Sequence, residues 1–334
     1  MKKLLVTGGC GFIGTNFIRL VMETRPDWSV LNIDKLTYAA MPENLAHLEK
    51  APRYSFIKGD ISDTGLLTKL FAEKEFDYIV NFAAESHVDR SIEGPAEFLR
   101  TNVTGTFTLL EAAREKWKNN ADKLFLHVST DEVYGTLGPE GRFTEETPYS
   151  PRSPYSASKA SSDHFAMAYY HTYGLPVIVT NCSNNYGPFQ YPEKFIPVVL
   201  RSIIAEKPIP VYGDGKNVRD WLFVKDHCEA LLTVLEKGTA GASYNIGGGN
   251  EKTNVELARE LCAVLDRKLG RKNSERLIDF VTDRPGHDKR YAVDYTKICS
   301  ELGWAPRTLF TDGLQQTAEW YIKFFKTGNI DNID

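Results

Sequence analysis

Short apolar runs alternate with longer amphipathic ones through the first half of the chain, the pattern of βαβ units. It predicts strands at Lys3–Thr7, Val30–Ile33, Tyr54–Ile57, Tyr78–Phe82, Leu124–Val128 and Val177–Thr180. Helices are predicted near Gly14–Thr24, Thr64–Glu73, Ala96–Trp117 and Pro154–Tyr173. Ser153 can cap the last of these, and Pro154 suits its first turn, where a missing N–H costs nothing. Alternation of this kind implies an α/β fold, doubly wound on a parallel sheet.

After about Asn184 the pattern loosens into segments rich in Gly and Pro, such as Tyr186-Gly187-Pro188 and Tyr212-Gly213-Asp214-Gly215. The expectation is a smaller, mixed α/β C-terminal lobe at 184–334, laid over a first domain at 1–183. Tyr244-Asn245-Ile246 reads as a short strand that returns to the main sheet. The two lobes then interleave, with returning segments near 221–246.

The chain has 334 residues, 42% of them apolar, which suits two lobes around one cleft. Its 40 basic and 44 acidic residues give a net charge of −4, so no basic face for nucleic acid is expected. An anionic ligand would depend on a few placed Arg or Lys side chains. The five cysteines form no C-x-x-C pair, and the odd count reads as reduced thiols in a cytoplasmic protein. The first apolar run is too short for a signal peptide, and no stretch approaches the roughly 20 apolar residues of a membrane span. No His or Cys spacing suggests a metal site.

Gly8, Gly11 and Gly14 follow the first strand and open the first helix, where glycine lets the backbone turn tightly against a pyrophosphate. Asp34 closes the second strand 20 residues past Gly14, where a carboxylate would hold the ribose hydroxyls of NAD and repel a 2′-phosphate. Asp60 and Ile61 end the third strand and are placed to meet the adenine. Ala83, Ala84 and Ser86 follow the fourth, where small residues let the backbone pass close to a cofactor.

Tyr155 and Lys159 stand four apart on one helical face, so the ammonium is expected to lower the phenol pKa from about 10. Thr130, Asp131 and Glu132 follow the fifth strand, at the sheet edge where ligands of open α/β folds bind. Hydride transfer alone needs one proton-transfer group, so the added acid pair suggests an elimination coupled to an oxidation. Two adjacent carboxyls can divide the roles of acid and base if their surroundings separate their pKa values.

These residues resemble the nucleotide-sugar branch of the extended short-chain dehydrogenase/reductase family, and within it the dTDP-glucose 4,6-dehydratases. The likeness runs through Thr7-Gly8-Gly9-Cys10-Gly11-Phe12-Ile13-Gly14, Asp34-Lys35-Leu36-Thr37-Tyr38, Ala83-Ala84-Glu85-Ser86-His87-Val88-Asp89, Ser129-Thr130-Asp131-Glu132-Val133-Tyr134-Gly135, Tyr155-Ser156-Ala157-Ser158-Lys159, Asn184-Asn185-Tyr186-Gly187-Pro188, Arg219-Asp220-Trp221 and Arg284-Pro285-Gly286-His287-Asp288. It implies a Rossmann-like fold, with Phe12, Ile13, Lys35, Thr37, Tyr155 and Lys159 joining the NAD site, Lys159 on the nicotinamide ribose. It implies that Tyr155 takes the C4 hydroxyl proton during oxidation, with Thr130 near O4. Glu132 then removes the C5 proton, Asp131 protonates the departing C6 hydroxyl, and the hydride returns to C6. Arg219 and Arg284 would meet the diphosphate, with His287, Asn184 and Asn254 beside them. Ser86, His87, Glu85 and Asp89 would line the sugar site.

Another sugar-nucleotide 4,6-dehydratase, or a 4-epimerase or decarboxylase on the same scaffold, would keep Tyr155 and Lys159. The last two would not need Asp131. A non-catalytic dinucleotide sensor has no reason to keep Thr130, Glu132, Tyr155 and Lys159 together. The resemblance also implies a homodimer through a four-helix interface. Leu99, Val103, Phe107 and Leu110 make a stripe that suits such an interface or an internal core equally.

Overall fold

The computed structural model describes residues 2–118 and 122–327. The terminal segment 328–334, to which the sequence assigns no role, lies outside them. The chain runs β1 (Lys2–Thr7), α1 (Phe12–Thr24), β2 (Trp28–Asp34), β3 (Tyr54–Lys58), α2 (Thr64–Glu73), β4 (Tyr78–Asn81), α3 (Val88–Glu93), α4 (Pro95–Phe98), α5 (Thr106–Trp117), β5 (Leu124–Thr130), α6 (Pro154–Tyr173) and β6 (Val177–Cys182). It continues through β7 (Asn184–Tyr186), α7 (Phe195–Ala205), β8 (Ile209–Tyr212), β9 (Val218–Phe223), α8 (Val224–Lys237), β10 (Ser243–Ile246), β11 (Glu251–Thr253), α9 (Asn254–Leu269), β12 (Ile278–Val281), α10 (Thr296–Leu302) and α11 (Phe310–Lys326).

Seven parallel strands in the order β10-β6-β5-β4-β1-β2-β3 form the main sheet, a Rossmann-like arrangement. The order reverses beside β1, so the crevice at the carboxyl ends of β1, β4 and β5 is where such a fold takes its ligand. One face of the sheet packs Leu4, Val6 and Leu126 with α1 and α8; the other packs Leu5, Ile79 and Phe125 with α2, α5 and α6. A separate core around Val199, Leu261 and Tyr321 joins α7, α9 and α11. Two small sheets, β11-β9-β7 and β12-β8, complete that part.

α6 forms where the sequence predicts it, because Ser153 and Ser156 close a capping box, Pro154 fills the first turn, and Gly174 ends the helix at φ 68°. The helix expected over Ala96–Trp117 is instead interrupted by a wide π turn at Leu99–Gly105, between α4 and α5. The extra residue lets Asn102 face the loop after β4. Its Oδ1 accepts from Glu85 N at 2.8 Å, and its Nδ2 donates to Glu85 O at 3.0 Å and Ser158 Oγ at 2.8 Å. A π turn of this kind often marks a functional position, and here it clips the loop after β4 to α6. The apolar stripe is not covered evenly: Leu110 is fully buried in the internal core, while Leu99 is 58% and Phe107 41% exposed.

Candidate active site

A cavity of about 330 Å³ opens at the carboxyl ends of β1, β2, β4 and β5. Gly8, Gly11 and Gly14 form its floor. Gly8 takes φ 69°, and a side-chain carbon there would lie 2.7 Å from the backbone of Ala83; one on Gly14 would lie 2.5 Å from Gly8 O. Only glycine permits these approaches. The N-terminus of α1 carries no side-chain cap, which leaves its N–H groups and dipole facing the cavity. This is an anion cradle that fits a pyrophosphate.

Asp34 stands at the end of β2, its Oδ2 accepting from Cys10 N at 2.9 Å and its Oδ1 from Leu36 N at 2.8 Å. Burial raises its pKa against these two bonds. Each oxygen keeps a lone pair for a ribose hydroxyl. Lys35 pairs with Asp60 at 3.0 Å. Burial would push the Asp60 carboxyl up, but the bonds from Ser62 and Lys35 outweigh it and hold it below the usual range. Phe12, Ile13, Thr37, Ile61, Ala83, Ala84 and Ser86 line the same cavity. The donor set therefore fits NAD: an uncapped helix end for the pyrophosphate and a carboxylate where a 2′-phosphate would sit.

Thr130, Asp131, Glu132, Tyr155, Lys159 and Asn184 line the other end. Asp131 is 1% exposed, and its Oδ2 is buried with no hydrogen-bond partner among the described residues. Burial and then the neighbouring Glu132 charge push its carboxyl well above the carboxylate range. Glu132 is raised by burial too, but Arg284, Arg219 and Lys194 oppose the shift. The two acids thus sit in different fields: Glu132 and Asp220 outweigh Arg219 at Asp131, whereas Arg284, Arg219 and Lys194 act together on Glu132.

The structure corrects the expected part of Lys159. Its Nζ donates to Val128 O at 2.8 Å and lies 3.5 Å from His127 Nε2, both beneath the sheet edge. The Tyr155 phenol lies well above its ordinary pKa, raised by burial and by Glu132, against the opposing effect of the Thr130 hydroxyl. Burial also pulls Lys159 down, against the charge of Asp163. A phenolate at Tyr155 therefore needs a further positive charge, which the nicotinamide ring of NAD⁺ would bring.

Arg219 and Arg284 gather beyond Glu132. Arg219 is buried; its guanidinium donates to Asp288 O at 2.9 Å and covers the Tyr291 ring at 4.3 Å. Arg284 Nη1 is 3.5 Å from Asp89 Oδ1, and its Nε is buried without a hydrogen-bond partner among the described residues. His287 bonds Asp283 at 2.6 Å. Arg219, Arg284 and His287 do not line the cavity itself, and two further predicted residues lie outside it as well. His87 caps α3, its Nδ1 accepting from Arg90 N at 3.5 Å, and does not line the cavity, because the turn after β4 directs its ring to Glu193. Asn254 does not line it either: it opens α9, with its N–H on Asn217 O.

Lys194, Glu193 and Cys182 line the cavity but carry no motif. Lys194 donates to Ser86 O at 2.8 Å, Tyr38 donates to Glu193 at 2.9 Å, and Arg90 lies 3.7 Å from the Tyr38 ring centre. Nothing in sequence separates Lys194 from the other cations. No group of His, Cys, Asp and Glu able to hold a metal occurs among the described residues.

Residues 5–317 match the family model described as GDP-mannose 4,6 dehydratase. A dTDP-glucose 4,6-dehydratase of Xanthomonas campestris pv. campestris is 56% identical over 330 residues, covering 96% of this chain and 93% of that protein. The solved dTDP-glucose 4,6-dehydratase of Streptomyces venezuelae with NAD bound superposes at TM-score 0.91, is 46% identical, and covers 99% of this chain and 100% of that one. The Bacillus anthracis dTDP-glucose 4,6-dehydratase in complex with NAD gives TM-score 0.89, 48% identity, and 98% coverage of both chains.

Proposed function

We infer the chemistry from the premise that this chain belongs to the GDP-mannose 4,6-dehydratase family and matches dTDP-glucose 4,6-dehydratases along nearly its whole length. It converts dTDP-glucose to dTDP-4-keto-6-deoxyglucose: oxidation at C4, loss of water across C5 and C6, and reduction at C6. The chemistry that NAD⁺ supplies when bound is a two-electron store, filled by the C4 hydride and emptied at C6.

The observation that carries the reading is the meeting of Thr130, Asp131, Glu132, Tyr155 and Lys159 at one end of a cavity whose other end is a dinucleotide cradle. Tyr155 takes the O4 proton, with Thr130 beside it. The new carbonyl acidifies the C5 hydrogen, which Glu132 removes while Asp131 protonates the C6 hydroxyl. Asp131 suits the acid because burial keeps its proton on; Glu132 suits the base because two arginines and Lys194 favour its anion. Lys159 holds the nicotinamide ribose. Arg219, Arg284 and Lys194 receive the diphosphate, and the buried, unpaired Arg284 Nε has a phosphate oxygen as its natural acceptor. Incubation with dTDP-, UDP- and GDP-glucose tests this, scored for 4-keto-6-deoxy product. A 4-epimerase or decarboxylase would release no water.

Because each turnover restores the cofactor, NAD is expected to stay bound through purification. Protein free of nicotinamide after denaturation and extraction, yet fully active without added NAD, would contradict this.

A homodimer fits the exposed apolar face made by Leu99, Phe107 and Phe165, the last two with ring centres 6.1 Å apart. These lie on the helices before and after β5, so the face would close as four helices about a twofold axis. Phe107→Glu is expected to give monomer in sedimentation, and a dimer unchanged by it would refute this interface. A cytoplasmic location fits the five free thiols. No described helix is long and apolar enough to cross a membrane.

A further inference from the structure

The Lys159 ammonium is buried beneath the cavity, 4% exposed, with Val128 O at 2.8 Å as its backbone acceptor. A buried cation needs a counter-charge close by. The groups around it that titrate are Tyr155 and Asp163 on α6, His127 on β5, Asp131 and Glu132 just after β5, and Cys182 on β6. Burial holds the phenol and the thiol neutral, with Cys182 pushed up to about 12. Burial also keeps the proton on Asp131, and Glu132 faces Arg284, Arg219 and Lys194. Asp163 is the anion that remains.

Asp163 is itself buried, and its two oxygens differ. Oδ2 accepts from Ser129 Oγ at 2.7 Å, Tyr149 OH at 3.1 Å and Asn181 Nδ2 at 3.4 Å. A carboxyl that receives three donors and gives none is in its ionised, acceptor-only form. Oδ1 has no hydrogen bond among the described residues, yet it lies 3.2 Å from His127 Nε2. The Lys159 Nζ lies 3.5 Å from that same nitrogen. One imidazole edge thus separates the cation from the bare oxygen.

The neighbours fix the tautomer of that imidazole. Ser162 Oγ spends its proton on Lys159 O at 2.7 Å, so it can only accept from His127 Nε2, 3.1 Å away. Thr7 Oγ1 donates to Asn81 Oδ1 at 2.6 Å, which turns the amide so that its Nδ2 donates to His127 Nδ1 at 3.2 Å. His127 is therefore neutral, with its proton on Nε2. Burial and the Lys159 charge both lower its pKa, in agreement.

We propose that Asp163 and His127 are positioning residues for the C4 oxidation: the carboxylate is the counter-charge of Lys159, and the neutral imidazole is a spacer that keeps the two from closing into a direct pair. A direct pair would draw the ammonium down and spend its N–H groups. Held one ring apart, the ammonium stays charged and keeps the N–H groups not bound to Val128 O for the nicotinamide ribose. This rests on the reading of Lys159 as the ribose contact. The arrangement itself moves no proton and no electron.

The test measures NAD retained by purified protein after gel filtration, in steps from neutral to alkaline pH. It compares wild type, Asp163→Asn, Lys159→Met and the double variant. Asp163→Asn keeps the shape and removes the charge. Lys159 should then lose its proton earlier, so the alkaline loss of NAD is expected roughly one pH unit below that of wild type. In the Lys159→Met background the same change is expected to do nothing further, because the charge it supported is gone. NAD loss that is equal at every pH, or that recurs in the Lys159→Met background, would overturn the counter-charge and leave Asp163 a packing residue. An alkaline limit unmoved in Asp163→Asn would overturn it as well. The spacer is read in wild type, with no variant to misfold. Nitrogen NMR on the seven histidines, isotope-labelled, is expected to show His127 neutral with its proton on Nε2. An imidazolium or an Nδ1–H tautomer there would overturn the spacer. Wild-type protein that holds no NAD at any pH would overturn the cofactor reading, and the counter-charge with it.

Discussion

Asp131→Asn is expected to go on forming the 4-keto sugar while losing water about 10³-fold more slowly. The amide keeps the shape of the buried carboxyl and can still donate a hydrogen bond, but it has no acidic proton for a departing hydroxyl. Glu132 and Tyr155 are untouched, so the C5 proton should still come and go. In deuterated water the recovered sugar should gain one deuterium at C5 and keep its C6 oxygen, which mass spectrometry resolves. Glu132→Gln should do the opposite and gain none. Rapid loss of the C6 oxygen by the Asp131→Asn variant would sink the acid assignment.

The same change has a signed consequence for stability. The Asp131 carboxyl is raised well above its ordinary value of about 3.9, so the folded protein binds its proton more tightly than the unfolded chain does. Such a group lowers stability as pH rises from the unfolded pKa toward the folded one, and the loss is complete above the folded pKa. Asparagine removes that dependence. The variant is therefore expected to resist denaturant better than wild type at neutral pH, with the difference vanishing in acid below the unfolded value. Dehydration should fall on the alkaline side in wild type, as pH passes the raised pKa and the acid loses its proton.

The sheet and its cofactor edge were legible because each signal is local. Strands β1 to β6 are short apolar runs, and Gly8, Gly11 and Gly14 announce a turn that no other residue fits. Asp131 and Glu132 follow β5 directly, so placing that strand places them. What the sequence hid depends on contacts between distant segments. Leu110 and Phe107 share one apolar stripe on α5, yet Leu110 is buried and Phe107 is 41% exposed, because the stripe alone does not say which of its edges another element covers. Lys194 reaches Ser86 across more than a hundred residues, from a stretch with no periodic pattern. Lys159 has the spacing of a partner to Tyr155, and helical spacing fixes which face a side chain leaves from, not where a long one ends. Val128 O, beneath the sheet edge, claims its ammonium.

That displacement sharpens what Tyr155 must do. In the protein alone the phenol is neutral, held so by burial and by the Glu132 charge. The Thr130 hydroxyl opposes this shift, and a hydroxyl hydrogen bond does not make a phenolate. A positive nicotinamide would do so, placed against the same cavity wall, with Lys159 beneath. Tyr155 is thus a base assembled by cofactor binding. Tyr155→Phe keeps the ring, which meets Phe98 edge-on at 6.3 Å, and removes only the acceptor. It is expected to retain NAD and the wild-type unfolding midpoint while the first turnover falls about 10³-fold. Because the O4 proton then has no acceptor in the site, the residual rate of C4 oxidation should rise with hydroxide concentration, where that step in wild type levels off once the phenol is ionised. A variant within about tenfold of wild type, with an unchanged pH profile, would mean that another group takes the O4 proton. Loss of NAD alongside loss of rate would instead place Tyr155 in cofactor binding, which the measured nicotinamide content decides directly.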